Sequence, residues 1–255
     1  MCTGQYADPN GFDMKHVAVK TVAVVAAALG TVYLVWRRIS WRASRRMTET
    51  LKHHLILCEK AMQSVKPILG QHSFPTDSRT LTVIAFISVL IEFQESILLL
   101  VMNNHEGSAS ALFRPVVEGA YRALWINLPA TDAEVTRFVE KDRIDLEFGQ
   151  IATALDSAYA MDDFFQDFKA RAWKHLNSYT HGGMHQIGRR FVKNEVANNY
   201  SEEEIYEMTT SVTTIILLAI SFFLKKHGHV DSGDKVQAML ETYGPLIDGK
   251  KPAIT

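Results

Sequence analysis

The first strong feature of the chain is an unbroken apolar run. Val17–Trp36 reads VAVKTVAVVAAALGTVYLVW, twenty residues with Lys20 as the one charge. At a rise of about 1.5 Å per residue it matches the roughly 30 Å hydrocarbon core of a bilayer. Lys20 sits near one end, where its stem can reach the headgroups, and Tyr33 and Trp36 suit the other interface. Arg37, Arg38, Arg42, Arg45 and Arg46 follow at once, which places the C-terminal side in the cytoplasm. A cleaved signal peptide fits less well, because the start carries Asp8 and Asp13 and the run ends in bulky and basic residues. The reading is a single pass of the inner membrane: a short extracytoplasmic tail (1–16), a transmembrane helix (17–36) and a basic juxtamembrane segment (37–46) on the cytoplasmic side.

From residue 47 the pattern changes to apolar positions three and four apart. Met47–Leu69 has such a stripe in Leu51, Leu55, Cys58, Met62 and Val65, ending near Pro67 and Gly70. Asp77 or Ser78 caps a helix over Arg79–Met102, whose Glu92 and Glu95 argue for a core helix rather than a second span. Ser108–Leu128 is helical, with Pro115 expected to kink or open it. Thr131-Asp-Ala-Glu134 is a capping box for a short helix to Lys141, and Arg143–Met161 follows as an amphipathic helix. Asp162 or Asp163 caps the next helix, which runs to a Gly182-Gly183 break. Met184–Val196 resumes as helix. A second capping box, Ser201-Glu-Glu-Glu204, opens Glu202–Lys226, whose charge-free Met208–Leu224 is a second membrane span or a buried central helix; Lys225 and Lys226 at its distal end favour the buried helix. Gly228 fits its C′ position, and Asp234–Tyr243 closes the fold before a polar tail (244–255). No run alternates with period two. The body, 47–243, is therefore an all-α bundle of about seven to nine helices.

Composition adds little to this outline, and charge adds an asymmetry. Residues 1–46 hold seven Lys and Arg against Asp8 and Asp13, whereas the whole chain is near neutral, so the body is mildly acidic and lacks the general basic face of a duplex binder. Cys2 and Cys58 lie on opposite sides of the apolar run and support no disulfide framework.

Several signatures of chemistry are missing from the sequence: GxxxxGK[ST], GxGxxG, GxSxG and HExxH. Paired cysteines for zinc and Glu-x-x-His pairs for a di-iron bundle are missing too, so no metal or cofactor is expected. Polar groups concentrate in Arg171–Arg190, RAWKHLNSYTHGGMHQIGRR, and in an i, i+4, i+8 row of Arg114, Glu118 and Arg122. That row is a solvated ladder or a charged lining, and Glu92 and Glu95 are expected as interior partners of Arg114 or Arg122. The candidate ligand-binding residues are Arg114, Glu118, Arg122, His181, His185 and Arg189. The arginines would hold an anionic group and Glu118 would orient them. His181 is the candidate catalytic base, with His175 as the other imidazole that could serve, against the alternative that His181 is a turn histidine closing a helix end.

LFRPVVEGAYRALWINLPATDAEVTRF (112–138), LNSYTHGGMHQIGRR (176–190) and NYSEEEIYE (199–207) resemble an uncharacterised bacterial all-helical family. In that family an Arg-Pro-x-x-Glu helix, a Tyr-Thr-His-Gly-Gly turn and an Asn-Tyr-Ser-Asp/Glu-Glu segment recur. The resemblance covers about residues 50–228. More remotely, the chain is similar to the HEPN superfamily of helical RNA-cleaving and nucleotide-binding domains, although the spacings from Arg171 to His175 and to His181 do not match its ribonuclease motif. The combined expectation is a membrane-anchored, cytoplasm-facing helical module that binds an anionic small molecule, RNA or a protein partner, with the resemblance implying stress or phage defence. The alternatives are a HEPN-like ribonuclease or metal-dependent hydrolase using His181, and a non-catalytic homo-oligomeric scaffold on membrane lipid held through residues 17–46.

Overall fold

The computed structural model describes residues 47–243. The tail at 1–16, the expected membrane helix at 17–36, the basic segment at 37–46 and the polar tail from 244 lie outside the described residues. Within them the chain forms nine α-helices and one very small sheet, so the all-α expectation holds for the body. The helices are α1 (Glu49–Gly70), α2 (Ser78–Met102), α3 (Glu106–Asn127), α4 (Asp132–Lys141), α5 (Phe148–Tyr159), α6 (Phe164–Thr180), α7 (Met184–Ile187), α8 (Glu202–Lys226) and α9 (Val230–Tyr243).

Two of these helices carry the packing. α8 lies against α1, α2, α3 and α9, and α3 lies against α2, α5, α6 and α8. α8 has the composition for a central role, because Met208–Leu224 holds no charge and two of its threonines turn back onto the helix itself. Thr209 Oγ1 donates to the Ile205 carbonyl at 2.8 Å and Thr213 Oγ1 to the Thr209 carbonyl at 2.8 Å, so these two hydroxyls are buried without being orphaned, while Ser221 Oγ donates across to the Gly233 carbonyl of α9. α2 and α8 are both long and apolar enough to cross a membrane, but 83% of the apolar window of α8 is covered by protein against 39% for α2. The outward face of α2 shows Leu81, Val89, Leu99 and Met102, with the exposed Glu92 and Glu95 between them.

Local chemistry explains most of the helix ends. The Thr131 and Ser201 capping boxes form as their sequences require, and Asp77 caps α2 by accepting from Thr80 N at 3.0 Å. Glu92 and Glu95 do not reach Arg114 or Arg122: Glu92 is exposed and Glu95 pairs with Lys66 of α1. Both lie on the outward face of α2, where water solvates a carboxylate without any interior partner.

Three further expectations are corrected. Residues 143–147 are not helical, because Asp142 turns left-handed (φ 47°) and the chain restarts only at the Glu147/Gln150 capping box. Neither Asp162 nor Asp163 caps α6. The carboxylate that does so is Asp156, buried at the end of α5, which accepts from Phe165 N at 2.8 Å and Gln166 N at 3.0 Å. Finally, Met184–Val196 is not one helix. α7 lasts four residues, a 3-10 turn covers Gly188–Arg190, and Phe191–Val192 (β1) pairs antiparallel with Glu195–Val196 (β2). Gly188 weakens the helix at its middle, and Phe191, Val192 and Val196 favour extended backbone around a turn in which Lys193 adopts φ 55°.

Pro115 neither breaks α3 nor ends it. Lacking an N–H, it leaves the Ala111 carbonyl without its helical donor, and Thr180 Oγ1 at the end of α6 lies 3.4 Å from that oxygen. The proline thereby creates a docking point for the turn that follows.

Candidate functional site

The Gly182-Gly183 turn is built by two glycines with different reasons to be there. Gly182 adopts φ +67°, where a side chain is strained. Gly183 has ordinary backbone angles, but a Cβ on it would fall on Ser178 Oγ and lie 3.1 Å from Ser178 Cα. Gly183 N donates to the Ser178 carbonyl at 2.7 Å, and His185 N donates to Ser178 Oγ at 3.0 Å, so α7 folds back against the last turn of α6. We expect Gly183→Ala to cost about 1–3 kcal/mol through overpacking, and Gly182→Ala to cost about 1 kcal/mol through its φ alone. Thermal unfolding of the two variants checks the order, and an unperturbed Gly183→Ala protein would contradict the tight contact.

The six expected ligand-binding residues divide into two groups. Arg114, Glu118 and His181 come together, with Arg122 at their edge. Arg114 Nη2 lies 2.8 Å from Glu118 Oε1, its Nη1 is 2.5 Å from His181 Nε2, and its guanidinium covers the Trp173 ring at 4.9 Å. Arg122 is 4.0 Å from the other Glu118 oxygen and more exposed. An arginine has no acceptor, so His181 Nε2 presents its lone pair to Arg114 and the ring proton is on Nδ1. In this arrangement the Nε2 lone pair is already engaged and is not available to take a proton from a substrate.

His185 and Arg189 belong elsewhere. The His185 ring stacks on His175 at a centroid distance of 4.1 Å, with Tyr179 at 6.3 Å. Arg189 pairs with Glu204 in the first turn of α8, and its carbonyl accepts from Asn199 N at 2.9 Å. Glu204 serves two purposes: Oε1 holds Arg189, and Oε2 accepts from Ser201 N at 2.8 Å in the capping box. Arg190, grouped with Arg189 in the sequence, instead lays its guanidinium against the backbone at Gly107.

This second group borders a cleft of ≈ 350 Å³ between α3, α6 and α8. Phe113, Phe168, Leu176 and Met208 give it an apolar floor, and His175, Tyr179, Arg189, Tyr200, Glu204 and Glu207 give it a polar rim. A wider recess of ≈ 700 Å³ adjoins it, sharing Arg189, Tyr200, Glu204 and Glu207 and adding Asn198 and Glu203. Burial pushes the His175 imidazole below its usual value, and the nearby His185, Lys174 and Arg189 push it the same way. Burial raises the Tyr200 phenol. The loop from Met184 to Tyr200 is fastened to the start of α3, where Gln186 Nε2 donates to the Gly107 carbonyl at 3.2 Å and the Asn198 amide donates to the buried Glu106 carboxylate.

Sequence reasoning missed Glu106, Asn198, Tyr200 and the second duty of Glu204, and it brought Tyr179 to the Gly-Gly turn without a role in the site. Only Glu204 carried a local signal, its capping-box position. Among the described residues no group of three or more His, Cys, Asp or Glu side chains is placed to hold a metal ion.

A family model matches residues 87–247, from the middle of α2 to beyond α9, with the description "Family of unknown function (DUF6988)". The chain belongs to DUF6988. No curated protein and no solved structure matches it. The matched stretch begins later than the 50–228 of the resemblance, so α1 lies outside the DUF6988 match while both polar groups and the cleft lie inside it.

Proposed function

We propose that this DUF6988 protein is a membrane-anchored, cytoplasm-facing module that binds an anionic ligand carrying an apolar group, in the cleft between α3, α6 and α8. The observation that carries the reading is the Arg189 guanidinium on the rim of a cleft floored by Phe113, Phe168 and Leu176. Glu204 and Glu207 line the same cleft, so an anion enters by drawing Arg189 away from Glu204. An arginine fork beside an apolar floor is matched by a carboxylate or phosphate ester with a hydrophobic body. Arg189 supplies the fork. Its present partner, Glu204, retains its cap to Ser201 when the guanidinium turns to a ligand.

The reading is tested with the full chain in detergent, titrated by calorimetry with inorganic phosphate, a mononucleotide and a medium-chain fatty acid. An acid with an apolar body is expected to bind more tightly than phosphate, and Arg189→Gln is expected to weaken it at least tenfold, with His175→Gln weakening it less. Absence of heat with every anion, or equal affinity in Arg189→Gln, would end this proposal. Anionic binding and a membrane anchor suit a role in bacterial stress or phage defence. The hydrolytic alternative relies on His181 as base, and the contact of Arg114 with His181 Nε2 supports a positioning role for that histidine instead. Incubation with RNA, with His181→Ala beside it, separates the two.

A further inference from the structure

The segment Met184–Val196 exposes apolar side chains that nothing in the bundle requires to be there. Met184 is 73% exposed, Phe191 54% and Val196 58%, with Ile187 and Val192 beside them. Phe191 and Val196 are register partners on one face of the hairpin, Val192 and Glu195 pair on the other, and Met184 and Ile187 belong to α7, which leads into it. Charges of both signs border them. Between residues 171 and 200 the chain has five Lys and Arg and a single carboxylate, Glu195, while Arg189 is paired with Glu204, and Glu203 and Glu207 line the adjoining recess. Lys193 stands at the hairpin turn, and Arg171 and Lys174 are exposed on α6.

The N-terminal end of the described chain meets the same end of the bundle. Thr48, the N-cap of α1, donates from its N–H and Oγ1 to the Glu202 carboxylate at 3.0 and 2.6 Å. Glu202 opens α8, six residues after the hairpin, and Ala197 N and Asn199 N tie the intervening segment to the Arg190 and Arg189 carbonyls. Immediately before Met47 come the five arginines of residues 37–46, and before them the apolar Val17–Trp36. Ten residues reach at most about 35 Å even when fully extended, so an anchored chain keeps this end close to the lipid surface.

We propose that the hairpin Phe191–Val196 and α7 rest on an anionic bilayer surface, with their apolar side chains in the headgroup region and the neighbouring cations on the lipid phosphates. The proposal rests on the reading of Val17–Trp36 as a membrane anchor. It sets the recess lined by Asn198 and Tyr200 beside the bilayer, because those residues directly follow the hairpin.

The test uses the full chain in phosphatidylcholine vesicles with and without phosphatidylglycerol. In a Cys2→Ser background, with Cys58 buried, an environment-sensitive fluorophore is placed at Val192→Cys or, as a control, at Thr76→Cys. Thr76 lies in the loop after α1, at the opposite end of the bundle, where His72 Nε2 contacts Ser232 Oγ at 2.9 Å. Headgroup-nitroxide lipids should quench the Val192→Cys probe at least threefold more than the Thr76→Cys probe in vesicles with phosphatidylglycerol, and omission of that lipid should reduce the difference. Flotation with the vesicles is measured in parallel. A chain that floats but shows equal quenching at both sites overturns the docking and leaves the anchor standing. A chain that does not float overturns both. Strong quenching at Val192→Cys that is identical without phosphatidylglycerol overturns the assignment to anionic lipid.

Discussion

Asp156→Ala is expected to lower stability by about 3 kcal/mol, because one buried and one half-buried N–H at the start of α6 lose a charged acceptor. For a domain of this size that corresponds to a fall in Tm of roughly 6–12 °C. The Asp156 side chain is buried and accepts from both Phe165 N and Gln166 N, while Asp163, at the cap position itself, makes no side-chain cap. The effect should extend beyond stability, since α6 delivers Trp173, His175 and Tyr179 to the two polar groups. Tyr121 reinforces the same junction: its phenol, held protonated by burial and by the nearby Asp156 charge, donates to the Phe165 carbonyl at 2.8 Å. Asp156→Asn should fall between wild type and alanine, as the amide keeps one acceptor but turns a donor toward the second N–H. Urea unfolding of the three proteins checks this. An alanine variant within about 0.5 kcal/mol of wild type would show that the cap carries no stability.

The second large effect concerns acid. His54 is buried between α1 and α8, stacked on Tyr206 at a centroid distance of 3.7 Å, with its Nε2 3.0 Å from Thr209 Oγ1. Burial, and to a lesser degree the neighbouring His53, lowers its pKa from 6.5 to about 4. Because the folded value lies below the unfolded one, the unfolded chain binds the extra proton between these limits. Stability therefore falls as pH drops from 6.5 toward 4, and is recovered as pH rises through the same window. The full linkage is about 3 kcal/mol. Urea midpoints measured across that window should decline steeply in wild type. His54→Gln should start lower at neutral pH and decline less, and parallel curves for the two proteins would refute the assignment. The neighbouring Cys58 thiol, raised to about 11 by burial, stays protonated throughout and plays no part in the slope.

How much of this was legible in the sequence depended on the distance over which each feature is decided. The two capping boxes, the Asp77 cap and the stop at Gly228 were readable because a cap is settled by residues three or four apart. The stripe of α1 and the charge-free centre of α8 were readable because burial of one face imposes its period on the residues themselves. The same local rule misled at Met184–Val196. A strand of two residues is too short to show a period, so apolar positions there could be fitted to a helix that Gly188 does not sustain.

The sequence alone determined an all-α body, most of its helix boundaries and the place of the Gly-Gly turn, since each follows from propensity, periodicity and short-range hydrogen bonding. Only the tertiary structure decided which polar groups meet. Arg114 finds His181 sixty-seven residues away, Glu106 finds Asn198 ninety-two residues away, and Thr48 finds Glu202 across 154 residues. Those encounters depend on how α3, α6 and α8 pack, which no local spacing encodes. For the same reason six residues that looked like one site became two, and the cleft beside Arg189 took the place of the row along α3.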